Sequence, residues 1–165
     1  MKKLLWLLFL LPLSAHAAFS LFGSQPENEK QWVEGETSLP PYPSTQNLIP
    51  FEVSSVTRHR HFVDAASISV AKDGVVRYTV VVETTGGAKN ISFEGMRCET
   101  GERRLYAYGH PDRTWSEAKT VAWQQINFSY GQSYQKTLYE DYFCATDRHA
   151  KNAAEAILNL RRAGR

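Results

Sequence analysis

Short patterns that mark catalytic or metal-binding chemistry are almost absent from this chain of 165 residues. It has no Gly-x-Ser-x-Gly elbow for a serine nucleophile and no His-x-x-x-His spacing for zinc on a helix. The stretch ETTGGAKN has the glycines of a phosphate-binding loop without its spacing, so a hairpin turn explains it better. We therefore assign no catalytic residue, metal ligand or cofactor. An enzyme stays open, since a catalytic triad is defined by geometry and not by sequence order.

A long apolar run and an excess of one charge are also lacking. The apolar run Leu4 to Leu13 is too short to span a bilayer, and it lies between Lys2-Lys3 and Ala15-His16-Ala17. This pattern predicts a signal peptide over residues 1–17, with an uncleaved anchor as the alternative. Without Lys2 and Lys3, 17 of the 19 Lys and Arg remain against 17 Asp and Glu. Because the positive and negative charges are equal, we do not expect the processed chain to bind nucleic acid through an excess of basic residues.

The predicted export indicates the oxidation state of the two cysteines. Because an exported chain meets an oxidising compartment, Cys98 and Cys144 are expected to form a disulfide. A redox-active or metal-binding pair is the alternative, although no Cys-x-x-Cys spacing exists. No cysteine follows the predicted cleavage site, so a lipid anchor is not expected, and the processed chain should hold no stable membrane anchor.

The processed chain divides by composition into two parts. Residues 18–50 are rich in proline and glutamate and predict an acidic leader that is partly disordered. Whether Trp32 and Tyr42 hold this leader on the domain is left open. Residues 51–165 predict a single folded domain.

Alternating patterns in the first half of the domain predict an antiparallel meander. Short strands are expected over residues 51–57 and 61–63, followed by two runs joined by Lys72-Asp73-Gly74, a strong hairpin signal. The second run alternates as a half-buried strand would. Gly86-Gly87 and Glu99-Thr100-Gly101 predict the next two turns.

The second half of the domain predicts helices. Ser133 is a candidate cap for a helix that reaches Cys144, and a last helix is expected over residues 149–163. Thr146 or Asp147 would start this last helix, and its core side would carry Ala150, Ala153, Ala154, Ile157 and Leu158. The predicted fold class is α+β, with an antiparallel meander packed against C-terminal helices and one disulfide.

A patch of aromatic and basic residues on the last predicted hairpin is the candidate binding surface. Its members belong to the residue types enriched at interface hot spots: Arg103, Arg104, Tyr106, Tyr108, His110, Arg113 and Trp115. Regular alternation places Arg104, Tyr106 and Tyr108 on one face and Leu105 and Ala107 on the other. Whether the tyrosines face outward or cover the docking side of the helices is left open.

His59 and His61 place two imidazoles on one side of a strand. Two side chains rarely hold zinc alone, so exposed histidines flanking a strand are the preferred interpretation. No metal site is predicted.

Three stretches in order, HFVDAASISVAKDGVVRYTVVV, GAKNISFEGMRCETGERRLYAYGHPDRTW and YEDYFC, resemble the CNP1-like family of small exported β-proteobacterial proteins. The resemblance spans residues 61–144. It implies a periplasmic protein of a Gram-negative cell, and the matching Cys98 and Cys144 support the disulfide. It implies no activity.

These inferences lead to one expected function and one alternative. We expect a non-catalytic binding or accessory protein of the Gram-negative envelope whose partner is an envelope protein or a cell-wall ligand. The alternative is an enzyme or a hydrolase inhibitor that acts on cell-wall or sugar material, with a loop bearing His110 and Asp112 as the inhibitory element.

Overall fold

The computed structural model describes residues 31–53, 57–120, 122–129, 133–146 and 149–163. The predicted signal peptide lies outside these residues. Every element named below belongs to the compact unit Trp32–Arg165. No helix among the described residues has the length and apolar character needed to cross a membrane.

A single antiparallel sheet forms the centre of this unit. Its strands are β1 (Leu48–Phe51), β2 (Arg60–Val70), β3 (Val75–Glu83), β4 (Lys89–Arg97), β5 (Glu102–Gly109), β6 (Trp115–Glu117) and β7 (Gln124–Gln125). The first six follow one another in space as they do in sequence, and β7 also pairs with β5. The predicted meander and the α+β fold class are therefore confirmed.

The predicted turns are present because glycine takes the backbone conformation that other residues avoid. Gly74, Gly87 and Gly101 have φ values of 76°, 82° and 66° in the turns after β2, β3 and β4. The predicted strand limits near the start were wrong. β1 begins at Leu48, before the predicted domain boundary at residue 51, and β2 is one long strand.

An irregularity in β2 explains why its sequence suggested two separate strands. The pairing with β3 shifts register between Asp64 and Ser69. Ser67 stabilises the shift, because its hydroxyl donates to the Asp64 carbonyl at 2.7 Å and accepts from the Thr79 amide at 2.7 Å. A side chain thus replaces the backbone acceptor that a regular ladder would supply.

Helical residues cover one face of the sheet, which we call the helix face. Helix α1 (Tyr134–Thr137) continues into a π-helical segment (Leu138–Phe143), and helix α2 (Ala153–Ala163) follows. Ser133 accepts from the Lys136 amide as predicted. Tyr78 of β3 packs its ring 5.1 Å from that of Phe143. The disulfide joins Cys98 to Cys144 with 5.2 Å between their Cα atoms, which confirms the predicted pair.

Helix α2 starts later than predicted. Its cap is Asn152, whose side-chain oxygen accepts from the Glu155 amide at 3.0 Å, and not Thr146; the other candidate, Asp147, lies outside the described residues. The buried positions are Ala156, Asn159 and Leu160, whereas Leu158 is 45% exposed. The predicted core side was therefore wrong in part: Ala154 and Leu158 are exposed, and the packed stripe runs along Ala153, Ala156, Ile157 and Leu160.

An extended segment covers the opposite face of the sheet. We call residues 32–42 the strap and the face beneath it the strap face. Trp32 donates its indole N–H to the Asp73 carbonyl at 2.8 Å, and Tyr42 donates its hydroxyl to the His110 carbonyl at 2.5 Å. Trp32 and Tyr42 therefore do hold this part of the chain on the sheet. Because both faces are covered, β3 is buried from Val75 to Val81 and not half-buried as predicted.

Candidate functional site

The structure divides the seven predicted binding residues between the two faces of the sheet. Arg103, Tyr108 and His110 line a groove on the helix face. Arg104 and Tyr106 line a smaller cavity of about 390 Å³ on the strap face. Trp115 is held by the strap, and Arg113 is exposed in the loop before it. The seven residues therefore do not form one patch.

A bulge in β5 causes this division. Glu94 of β4 pairs with Leu105, and the preceding Phe93 pairs with Ala107, so Tyr106 has no partner of its own in the ladder. One extra residue reverses the alternation from that point on. Tyr106 therefore lies on the strap face with Arg104, whereas Tyr108 lies on the helix face with Leu105. The predicted common face for Tyr106 and Tyr108 was wrong.

On the strap face, two of the predicted binding residues, Arg104 and Tyr106, bind a carboxylate of the strap. Glu34 forms an ion pair with Arg104 and accepts hydrogen bonds from the Tyr106 hydroxyl at 2.6 Å and the Trp123 indole at 3.1 Å. The pKa of Tyr106 is raised by burial and by the Glu34 carboxylate, so this hydroxyl remains a donor at neutral pH. Arg104 and Tyr106 thus hold part of the chain itself.

Gly95 is the residue that makes room for the Tyr106 ring. A Cβ atom at position 95 would lie 2.5 Å from the Tyr106 hydroxyl oxygen, so the ring would have to move and lose its bond to Glu34. We expect Gly95→Ala to lower the free energy of unfolding by about 1–3 kcal/mol in urea titrations. Gly86→Ala is the matched control, since its nearest contact would be 3.9 Å away. Equal stability of the two variants would contradict this role of Gly95.

The loop between β5 and β6 is fixed by the far end of the strap. The indole N–H of Trp115 donates to the Pro40 carbonyl at 3.1 Å, and Tyr42 packs its ring 5.5 Å from that of Trp115. The guanidinium of Arg113 lies 5.8 Å from the centre of the Tyr42 ring. Asp112 accepts from the Thr114 amide and hydroxyl within the same loop.

The groove on the helix face is the candidate functional site. Its volume of about 640 Å³ lies in the range of small-molecule sites. It lies along β4 and β5 and is bounded by Tyr134 of α1. Its walls consist of His59, His61, Val82, Lys89, Asn90, Ile91, Ser92, Glu94, Arg103, Leu105, Tyr108, Gly109, His110 and Tyr134.

A buried carboxylate forms the floor of this groove. Glu94 is 2% exposed. It accepts from the Ser92 hydroxyl at 2.7 Å, the Tyr134 hydroxyl at 2.5 Å and the Tyr78 hydroxyl at 3.3 Å. The pKa values of both tyrosines are raised, first by burial and then by the Glu94 charge, so the phenols stay protonated and donate. Both oxygens of Glu94 are thus occupied by neutral donors.

The basic side chains of the groove, Arg103 and Lys89, form fewer hydrogen bonds and ion pairs than Glu94 does. The guanidinium of Arg103 forms no ion pair or hydrogen bond with any residue that the structure describes. Lys89 lines the same groove and is exposed. The pKa of His61 is lowered, first by burial and then by the neighbouring His59, which keeps its imidazole neutral at pH 7. The groove therefore carries an excess of positive charge.

His61 is 8% exposed and packs its ring 6.1 Å from that of Tyr134, so the prediction of two exposed histidines was wrong for His61. Among the described residues, no cluster of three or more His, Cys, Asp or Glu side chains is arranged to hold a metal ion.

Sequence patterns did not predict Glu94, Ser92, His61 and Tyr134 as members of one site. Ser92 and Glu94 alternate with the apolar Ile91 and Phe93, a pattern that predicts polar side chains in solvent. The structure instead buries Glu94 under Tyr134, which lies 40 residues further along the chain. The only local signal was an acidic residue in the middle of a strand, where charged residues are uncommon.

Comparison with known protein families gives a match over most of the chain. The model of the CNP1-like family matches residues 27–161, which is most of the chain. No curated protein matches the sequence, and no solved structure matches the fold.

Proposed function

The chain belongs to the CNP1-like family, and we propose that it is a periplasmic binding protein of the Gram-negative envelope whose ligand occupies the groove on the helix face. The protein acts as a non-catalytic accessory factor. Three of the seven predicted binding residues, Arg103, Tyr108 and His110, line the groove and belong to this proposal.

The observation that carries this proposal is the guanidinium of Arg103, which lines a groove of ligand size and pairs with no side chain that the structure describes. No nitrogen of this guanidinium is among the buried polar atoms that lack a hydrogen-bond partner, so it is open to solvent and to a ligand. The buried carboxylate that lines the same groove, Glu94, accepts from three hydroxyl groups and forms no ion pair with Arg103. A ligand with an acceptor group would replace solvent at this guanidinium and form a charge-assisted hydrogen bond with it.

The hydrogen bonds of two cavity-lining carboxylates, Glu94 and Glu34, favour a binding role over a hydrolytic one. A general base needs an oxygen aimed at the proton that it removes. Both oxygens of Glu94 accept from hydroxyl groups of the protein, and Glu34 in the strap-face cavity is held by Arg104, Tyr106 and Trp123. Each carboxylate thus has a structural role in positioning its neighbours.

Two features support the periplasm as the compartment. Residues 1–17 have the pattern of a signal peptide. The pair Cys98 and Cys144 forms a disulfide, and structural disulfides persist in oxidising compartments such as the periplasm.

Photocrosslinking in intact cells tests this function. Tyr108 is 51% exposed in the groove, so p-benzoylphenylalanine at position 108 should capture the ligand when irradiated. The same residue at position 158, on α2, is the matched control, because Leu158 is 45% exposed outside the groove. We expect a reproducible mass increase on the peptide that contains position 108 and none at position 158. Equal labelling at both positions, or none at position 108, would contradict the proposal.

A further inference from the structure

We infer that the ligand of the groove is a sugar that carries a single carboxylate. This inference rests on the proposed function and specifies its ligand class. Its basis is a recess of about 640 Å³ lined by an exposed tyrosine, small polar side chains and one guanidinium that pairs with no side chain in the described part of the chain.

The carboxylate is assigned from Arg103. A guanidinium presents paired N–H donors that match the two oxygens of a carboxylate, and the pair is stronger where water is partly excluded. Lys89 adds a second positive charge along the same groove. Glu94 on the floor contributes one negative charge, which disfavours a ligand with two charges such as a phosphate monoester. A monoanion therefore fits the charge of the groove.

The sugar ring is assigned from the aromatic and small polar side chains that line the rest of the groove. Sugars present apolar C–H faces between hydroxyl groups, so they suit sites that combine aromatic rings with small polar side chains. Tyr108 offers such a ring, half exposed, opposite Ser92 in the register between β5 and β4. Asn90 and neutral His61 each offer both a donor and an acceptor, which is what a hydroxyl group requires. The volume accommodates a mono- or disaccharide.

Isothermal titration calorimetry of the purified protein with matched acidic and neutral sugars tests this inference. Glucuronic acid is compared with glucose, galacturonic acid with galactose, and N-acetylmuramic acid with N-acetylglucosamine. We expect at least one acid to bind with a dissociation constant about tenfold or more below that of its neutral counterpart, which is the size expected for an Arg–carboxylate contact.

Three variants assign the contributions of the two side chains. Arg103→Gln should abolish the preference for the acid, whereas Arg162→Gln, an exposed arginine of α2, should leave it unchanged. Tyr108→Ala should weaken the binding of the acid and its neutral counterpart by similar factors, since the ring contacts both. Circular dichroism spectra that match the parent establish that the variants are folded.

Equal affinity for acidic and neutral sugars would overturn the inference, as would a preference that survives Arg103→Gln. If no sugar binds while the crosslink at position 108 still forms, the assigned ligand class is wrong and the proposed function stands. If neither binding nor crosslinking is seen, both are wrong.

Discussion

Replacing Cys98 by serine is expected to lower the free energy of unfolding by about 4 kcal/mol and the melting temperature by roughly 10–15 °C under oxidising conditions. The bond between Cys98 and Cys144 spans 46 positions along the chain. In the chain-entropy model, opening a loop of this size gives the unfolded chain much more freedom. Because small domains have total stabilities of about 5–15 kcal/mol, the loss is a large fraction of the whole.

The folded protein gives a further reason to expect a large effect. The bond joins the end of β4 to the end of the π-helical segment, so it ties the helices to the sheet directly. Beside it, one hydrogen bond of 2.8 Å runs from the Tyr139 hydroxyl to the Cys98 carbonyl. Without the disulfide, the packing of residues such as Tyr78 and Phe143 must hold the helices in place.

Differential scanning calorimetry of the parent and the variant tests this prediction. The double variant Cys98→Ser, Cys144→Ser is the control for the thiol that the single variant leaves free. The parent protein with a reductant should melt near the temperature of the double variant. Equal melting of parent and double variant without reductant would show that the disulfide adds nothing to stability.

The parts of the fold that follow from local rules could be predicted from the sequence. Asp73-Gly74 predicted a hairpin because a glycine there can take a positive φ. Ser133 predicted a helix start because its hydroxyl can accept from an amide three residues later. The disulfide followed from the number of cysteines and the predicted compartment.

The strap could not be predicted in the same way. Its local composition, rich in proline and glutamate, is that of a disordered leader. Its partners lie far along the chain: Trp32 bonds to Asp73, 41 residues away, and Trp115 bonds to Pro40, 75 residues away. Only the assembled sheet brings these groups together, so no pattern within residues 18–50 encodes the contact.

The candidate site, like the strap, could be predicted from the sequence only in part. Arg103 and Tyr108 were selected by residue type, and both line the groove. Their common face depends on the bulge at Tyr106, which regular alternation does not predict. The floor of the groove depends on Tyr134, a residue of the first helix. Sequence patterns therefore identified some of the residues but not which of them act together.

Replacing Asp73 by asparagine is expected to lower the free energy of unfolding by about 3 kcal/mol at pH 7, because it leaves the charge of Arg77 buried without its main partner. The side chains of Asp73 and Arg77 are each 4% exposed and form an ion pair at 2.7 Å. Glu34 remains 3.5 Å from Arg77, which limits the loss. Asp73 also accepts from the Gly35 amide at 2.8 Å, so the variant should loosen the strap as well.

Urea titrations at pH 7 measure the loss of stability, and hydrogen exchange at the Gly35 amide reports on the strap. Asp141→Asn is the matched control, since it removes the same charge from an exposed position on the π-helical segment. We expect the amide of Gly35 to exchange faster in Asp73→Asn and at the parent rate in Asp141→Asn. Unchanged stability and exchange in Asp73→Asn would show that Arg77 is satisfied without Asp73.

The pH dependence of this difference distinguishes a charge effect from a loss of packing. Burial opposes the ionisation of Asp73, but hydrogen bonds from Arg77, Val75 and Gly35 outweigh it, so its pKa lies below the ordinary 3.8. A carboxyl group with a lowered pKa stabilises the fold above its unfolded pKa, and this contribution is lost as the pH falls through the folded pKa. The difference between parent and Asp73→Asn should therefore be full at pH 5–7 and shrink below about pH 4. A difference that stays constant down to pH 2 would instead indicate that shape, and not charge, joins the strap to the sheet.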